Sequence, residues 1–482
     1  MKKIIAILII TLLMGGVSSV HAQKKPKDSK KDAYHITFIL ESIDDTMLYV
    51  ASYYADKTYM FDSIRVSEPH TYVLKGDTTL PRGIYVLAGQ NKNKYMDFVV
   101  DSSVFFTIRV EGTDFINNVT YTGSPENEQA CDFFKHAGYF QGKMYELRND
   151  IKTMESAAKP NAKEIKSAKD LMIRYQDSLD SYIADFVVKY GDKTLFGKIQ
   201  KFAQDVEVPD PPKGNKDSNY AYHYYVNHYW DNCDFNEQAM AYTPIFQPRI
   251  DKFFKTLPPL VDTIIKYADQ LLDKMKDNPE MFKYAVWFIT NKYERSEYVG
   301  HDEIFVHMVQ TYYAQGRCPW TNEAVLERMV DRANVLDKIL VGRPCPELWM
   351  FDTNDRFISN YSFNTKYTIM WFWDVDCGHC KSATPTLVEF YNRAKKDLDF
   401  EVYAVCMGSD VGKWKKAIVE RQLPFVNVGG NKANLDFREV FDIRTTPQIF
   451  VLDKDKKIIA KKIGVESLEQ VIRDYEAGKR IR

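Results

Sequence analysis

Apolar and polar positions follow three different rhythms along the chain, and each predicts a different kind of layer. From Ala33 to about Gly123, short β-type runs such as 35–40, 83–87 and 104–110 are separated by turn residues. The punctuation is Asp44-Asp45, Gly76-Asp77, Pro81-Arg82-Gly83 and Gly112. Runs of that length, broken that often, predict about eight strands and an N-terminal all-β sandwich or barrel over 33–123. From 124 to 339 the spacing changes to threes and fours. Ile165, Ala168, Met172, Tyr175, Leu179, Ile183, Phe186 and Tyr190 fall on one stripe of a long helix that stops at Gly191. Such a stripe has to pack on other helices, so a middle all-α domain is expected. Further helices are predicted at 258–276, 279–292 and 321–337, with a Pro-rich loop over 208–219.

Over 340–482 buried strand and helix patterns alternate. Strands are predicted at 367–373, 400–406, near 425–428, and as a pair at 448–452 and 457–461. Helices are predicted to about 395, at 411–421, at 435–441 and from Ser467. Strands alternating with helices mean a C-terminal α/β layer around a sheet. The multidomain expectation agrees with the length of 482 residues, too long for one ordinary domain.

Composition changes this picture in two respects. With 45% hydrophobic and 27% charged residues and a net charge of −1, there is no electrostatic reason to expect nucleic acid or an anionic membrane as a partner. The start of the chain is of another kind. Met1-Lys2-Lys3, an apolar run over 4–14 and the ending Val20-His21-Ala22 read as a secretory signal peptide over 1–22. An uncleaved anchor is the alternative, but the run is shorter than the ~20 residues a spanning helix needs. A polar, Lys-rich linker over 23–32 is expected to be disordered. Export, with the periplasm as destination, is the expectation.

Export alters how the seven cysteines are read. The count is odd and low for a disulfide scaffold. Cys377 and Cys380 stand three apart in Met370-Trp371-Phe372-Trp373-Asp374-Val375-Asp376-Cys377-Gly378-His379-Cys380-Lys381, where a predicted strand becomes a helix. In a first helical turn, unpaired N–H groups and the positive end of the helix dipole stabilise a thiolate. The thiolate is the species that attacks a disulfide. Cys377 is therefore the expected exposed nucleophile and Cys380 the resolving thiol. Zinc would need two further ligands, and no second C-x-x-C exists; no metal or other cofactor is expected. A structural disulfide across so short a loop gains little from closure. Cys406 reads as a buried core thiol, and Cys318 with Cys345 as either free thiols or a bridge; Cys131 and Cys233 give no basis for pairing. The aromatic cluster Tyr220, Tyr222, Tyr224, Tyr225, Tyr229 and Trp230 reads as packing or as the wall of a peptide groove.

Three stretches carry a family resemblance. Phe372-Trp373 ahead of Cys377-Gly378-His379-Cys380-Lys381, the approach Gly342-Arg343-Pro344-Cys345-Pro346-Glu347-Leu348, and Thr445-Thr446-Pro447 resemble the thioredoxin superfamily, in particular the exported TlpA-type thioredoxins. The resemblance covers under a third of the chain. It implies a thioredoxin fold and a cis bond before Pro447. It further implies that the backbone of Thr446 pairs with an extended substrate peptide. Gly378, His379, Trp373, Asp376 and Lys381 would shape and tune the turn, and a membrane thiol reductase would supply electrons.

Three departures bear on reactivity. Trp371 stands where thioredoxins bury an Asp, and Ala383 where TlpA-type proteins often carry Glu, so Glu401 or a water is left as proton acceptor for Cys380. Asp376 replaces the usual Trp before the first cysteine, and its carboxylate is expected to raise the Cys377 pKa. The Gly-His pair between the cysteines is shared with protein disulfide isomerases. The expected activity is reduction of disulfides in exported proteins. The alternatives are an isomerase, or a binding protein with a vestigial thioredoxin domain; association of copies of the chain is left open.

Overall fold

The computed structural model describes residues 32–157 and 159–479. The predicted signal peptide and nearly all of the polar linker lie outside the described residues.

Strand β1 (Tyr34–Leu40) shows why the N-terminal region is β. Tyr34, Ile36, Phe38 and Leu40 point inward and the residues between them do not, the period of two that a half-buried strand requires. It is followed by β2 (Met47–Tyr54), β3 (Lys57–Glu68), β4 (Thr71–Gly76), β5 (Gly83–Ala88), β6 (Lys94–Val100), β7 (Phe105–Val110) and β8 (Val119–Thr122). All eight form one sheet in the order β6-β5-β2-β3-β4-β1-β7-β8. Inward side chains from every strand, such as Leu48, Ile64, Tyr72, Leu87, Phe98, Ile108 and Val119, meet in one cluster, so the sheet curls around its own core.

The middle region is helical: α1 (Pro125–Glu155), α2 (Ala162–Tyr190), α3 (Leu195–Ala203), α4 (Tyr220–His228), α5 (Phe246–Thr256), α6 (Val261–Lys274), α7 (Pro279–Glu294), α8 (Asp302–Met308) and α9 (Glu323–Asp337). The predicted stripe of α2 buries Ala168, Leu179, Ile183 and Phe186, and Phe186 packs edge-on against Phe133 of α1 at 4.7 Å. Asn161 caps α2 by accepting from the N–H groups of Lys163 and Glu164. Tyr229 and Trp230 are buried against Phe253, so these two members of the aromatic cluster act as packing. Two compact units result: the described residues up to Thr256 with Lys274–Tyr284, and Leu257–Asp273 with the chain from Ala285 onward.

In the second unit seven strands form a sheet in the order β10-β9-β13-β12-β11-β14-β15. They are β9 (Trp349–Asp352), β10 (Phe357–Ser359), β11 (Tyr367–Trp373), β12 (Phe400–Cys406), β13 (Val426–Ala433), β14 (Gln448–Leu452) and β15 (Ile458–Lys461). Helices α10 (Gly378–Leu398), α11 (Val411–Glu420), α12 (Phe437–Val440) and α13 (Leu468–Glu476) complete it. All seven residues of β11 are buried, as a central strand covered on both faces must be. Parallel pairing from Tyr367 with Phe400 to Trp373 with Cys406 brings the carboxyl ends of β11 and β12 together, and α10 starts there.

One buried charge fastens this unit internally. Lys461 of β15 is 1% exposed, and its ammonium pairs with Asp302 at the start of α8. Burial pushes the Lys461 pKa down, and Asp302 opposes that shift. Removing one partner strands the other charge, which costs about 3–5 kcal/mol. Asp302→Ala should therefore destabilise by that much in denaturant unfolding, and adding Lys461→Met should recover part of the loss. A single-variant loss below about 1 kcal/mol would show the ammonium to be solvated.

Candidate functional site

Strand β11 runs straight into the turn Asp374–Cys377, and α10 follows. Cys377 is the N-cap residue of α10, extended at φ −71° and ψ 121°. Its sulfur thus accepts from the N–H of Cys380 at 3.3 Å, one of the donors that every helix start leaves unpaired. The thiol donates to the carbonyl of Thr446 at 3.2 Å, and the Thr446–Pro447 bond is cis. Cys380, one turn into the helix, is fully buried among Trp371, Trp373 and Leu387. The N–H of Asp374 donates to its sulfur at 3.5 Å.

The two sulfurs consequently differ. Burial by itself would raise the Cys377 pKa. Hydrogen bonds to Thr446, Cys380 and the backbone N–H groups of Cys380 and His379 outweigh it and hold the thiol below its ordinary value. Burial dominates at Cys380 and pushes it up to about 11. Asp376, expected to raise Cys377 against the helix dipole, does not set the direction, because the thiol is lowered overall. The Asp376 side chain is 74% exposed and faces Lys413 at 3.5 Å, where solvent and a counter-charge weaken its field.

The other predicted residues separate into those the fold brings together and those it does not. Gly378 and His379 follow Cys377 in the first turn of α10, and Thr446, next to Pro447, accepts from its thiol. A Cβ on Gly378 would meet nothing within 4 Å, so the glycine leaves this face open. His379 and Pro447 line a cleft beside it. Trp373 lies beneath the turn, stacked on Trp371 at 5.2 Å. Lys381 donates its backbone N–H to Cys377 but turns its side chain to a second cavity, with Thr384, Pro385 and Arg421.

Glu401 does not serve Cys380, a second correction. It pairs with Thr368, at the far end of β11 from Trp373. Five residues of strand amount to about 16 Å. There Glu401 is held by Lys395 at 2.6 Å and by the Tyr391 hydroxyl at 2.9 Å. All seven cysteines are free thiols, Cys318 and Cys345 included, and Cys377 alone among them is not buried. Among the described residues no cluster of three or more His, Cys, Asp or Glu could hold a metal.

Sequence reasoning missed Arg421. It donates to the carbonyl of Val375 at 2.8 Å, and its guanidinium lies 5.4 Å from the ring centroid of Trp373, bracing the turn from below. Asp374 was missed as well: its carboxylate accepts from the Asp376 N–H at 2.8 Å, and its carbonyl from the Cys377 N–H. An Asp followed at once by the turn it caps was the signal available.

The difference between the two thiols is measurable. Iodoacetamide should label Cys377 first, with a rate that rises through an inflection below the ordinary thiol value of about 8.5. Trp371→Phe should leave that inflection in place, because the buried indole Nε1 has no hydrogen-bond partner. An inflection above 8.5 would mean that burial and Asp376 prevail over the hydrogen bonds.

A family described as thioredoxin-like matches residues 364–458. Two families described only as domains of unknown function match 34–130 and 155–338. No curated protein matches the chain. Among solved structures it is similar to a domain of a possible thiol-disulfide isomerase from Cytophaga hutchinsonii, at 37% identity over 29% of this chain and 95% of that one, TM-score 0.28. It is similar also to the thioredoxin domain of a thiol-disulfide oxidoreductase from Bacteroides vulgatus, at 29% identity over 28% and 96%, TM-score 0.26. A third similarity is to a thiol:disulfide interchange protein from Bacteroides sp., at 28% identity over 29% and 95%, TM-score 0.26. By the family match over 364–458, and by 37% identity across nearly the whole of a solved relative, the chain belongs through its C-terminal domain to the thioredoxin superfamily.

Proposed function

We propose that this protein is an exported thiol–disulfide oxidoreductase that reduces disulfides of exported proteins by dithiol–disulfide exchange. The observation that carries the reading is the pairing of unlike sulfurs in one helical turn: Cys377 half-exposed with a lowered pKa, Cys380 buried with a raised one. The Cys377 thiolate attacks one sulfur of a substrate disulfide. A mixed disulfide forms, and the other substrate sulfur leaves as a thiolate. Cys380 then gives up its proton and attacks the Cys377 sulfur, forming the Cys377–Cys380 disulfide and releasing the second substrate thiolate. Solvent protons convert both released thiolates to thiols. Two electrons and two protons from an external dithiol reset the pair, a role suited to a membrane thiol reductase.

Part of what raises Cys380 is the neighbouring Cys377. Once Cys377 is tied up in a mixed disulfide its charge is gone, and Cys380 becomes easier to deprotonate when its turn comes. Substrate backbone would pair with Thr446 as an added strand. Export rests on the leader over 1–22 and on the occurrence of persistent disulfides mainly outside the cytoplasm. Among the described residues no helix is long and apolar enough to cross a membrane.

A specific observation favours a second reading, isomerisation. The His379 backbone N–H points at the Cys377 sulfur and its side chain lines the adjoining cleft, an arrangement that would stabilise the reduced form. The redox equilibrium of Cys377 and Cys380 against a glutathione series separates the two: a potential near or below about −250 mV means a reductase, and one near about −180 mV an isomerase. Cys377→Ser should abolish insulin reduction, and Cys380→Ala should accumulate a mixed disulfide on Cys377. Unchanged insulin reduction in both variants would leave a binding protein with a vestigial thioredoxin domain.

A further inference from the structure

A cleft of about 660 Å³, within the range of ligand sites, is lined by His379, two residues after Cys377, and by Thr445 and Pro447 on either side of Thr446. His379 and Ser382 of α10, Pro447 before β14 and Lys462 after β15 supply much of its lining. Arg332 does not come from the thioredoxin-like part of the chain; it belongs to α9. Its guanidinium pairs with Glu294 of α7, lies 3.6 Å from the buried carboxylate of Asp442, and sits 5.5 Å from the ring centroid of Phe305. Held on three sides, Arg332 is a fixed wall rather than a mobile surface arginine, and through it a helix of the middle region forms one flank of the cleft.

The charges of the lining do not cancel. Arg332, Arg444 and Lys462 are cationic, and Asp442 and Glu466 are anionic. Asp442 is already claimed, since Arg444 donates to it through Nε at 2.6 Å and Arg332 faces it. Arg444 is nevertheless 62% exposed and keeps its outer nitrogens available. Lys462 is exposed, and no described carboxylate lies within 4.0 Å of its ammonium. Glu466 is the one carboxylate of the lining that no described cation clasps. Lys462 and the outer nitrogens of Arg444, which Glu439 and Glu294 also attract, therefore stand against one available anion of the lining.

We infer that the cleft receives an extended polypeptide segment with an acidic side chain next to its disulfide cysteine. The substrates are then acidic disulfide-bearing polypeptides, with Lys462 and Arg444 contacting the carboxylate and Arg332 fixing the width of the groove. This rests on the oxidoreductase reading and narrows its substrate class. A small disulfide would leave most of a 660 Å³ cleft empty, whereas a strand docked on Thr446 would run its neighbouring side chains into it.

The test uses the full reduced chain, hydroxyethyl disulfide, and three disulfide-bridged peptides that differ only in Glu, Gln or Lys beside the cysteine. The wild type should turn over the Glu peptide with a kcat/KM about three- to tenfold above that of the Lys peptide, the effect expected of one or two exposed ion pairs. Lys462→Glu should bring that ratio to one or below. Arg332→Ala should raise KM on all three peptides more than it lowers kcat. If that variant does not fold, the Lys462→Glu ratio decides alone. Equal rates on the three peptides by a wild type that reduces hydroxyethyl disulfide would overturn this inference and leave the oxidoreductase reading standing. No exchange with any of the four disulfides would overturn both.

Discussion

The amide of Cys380 meets the sulfur of Cys377 because strand β11 ends where it does. Seven consecutive buried residues hold that strand, with β12 on one side and β14 on the other, so the turn after Trp373 has little freedom. Arg421 fixes the turn through the Val375 carbonyl, and Asp374 through its own carboxylate and carbonyl. The helix that follows must open with Cys377 at its cap, and the free N–H groups of its first turn fall on the sulfur. The lowered pKa of Cys377, the burial of Cys380 and the closeness of Thr446 all depend on this junction.

The same dependence explains which parts of the fold were legible in the sequence. The predicted strands 367–373, 400–406 and 448–452 coincide with β11, β12 and β14, since strands buried on both faces leave uninterrupted apolar runs. The α2 stripe was legible for the opposite reason, a half-buried helix that repeats in threes and fours. Helix α1, 31 residues long, was not set apart within the helical region, because its buried positions are thinly spread among polar ones. Strands β9 and β10 have four and three residues, too few for a period to show.

For the site, the pattern Cys377-Gly378-His379-Cys380 and Thr446-Pro447 could be read because local chemistry singles those residues out. What could not be read was direction. Asp376 and Glu401 are both carboxylates that proximity or strand placement made relevant, yet one faces Lys413 in solvent and the other sits at the wrong end of β12. Arg332 carried no mark at all: its sequence neighbours are those of an ordinary amphipathic helix, and only the tertiary fold takes it to His379 and Pro447.

Replacing a buried carboxylate by Trp371 has a consequence for the order of events. An ionised acid beneath Cys380 would draw its proton at any time, whether or not substrate were present. With Trp371 and Trp373 there instead, Cys380 rests among apolar side chains, and burial raises its pKa to about 11. Cys377 is then the only sulfur poised to react in the resting state. In the proposed exchange, release of Cys380 would require that the charge on Cys377 be removed, as a mixed disulfide would do, and that a base arrive from the open side of the site. The thiolate expelled from a substrate would be such a base, produced at the same place and moment. An apolar floor under the second cysteine would thus tie resolution to the preceding attack, at the cost of a slower release than a dedicated acceptor would give.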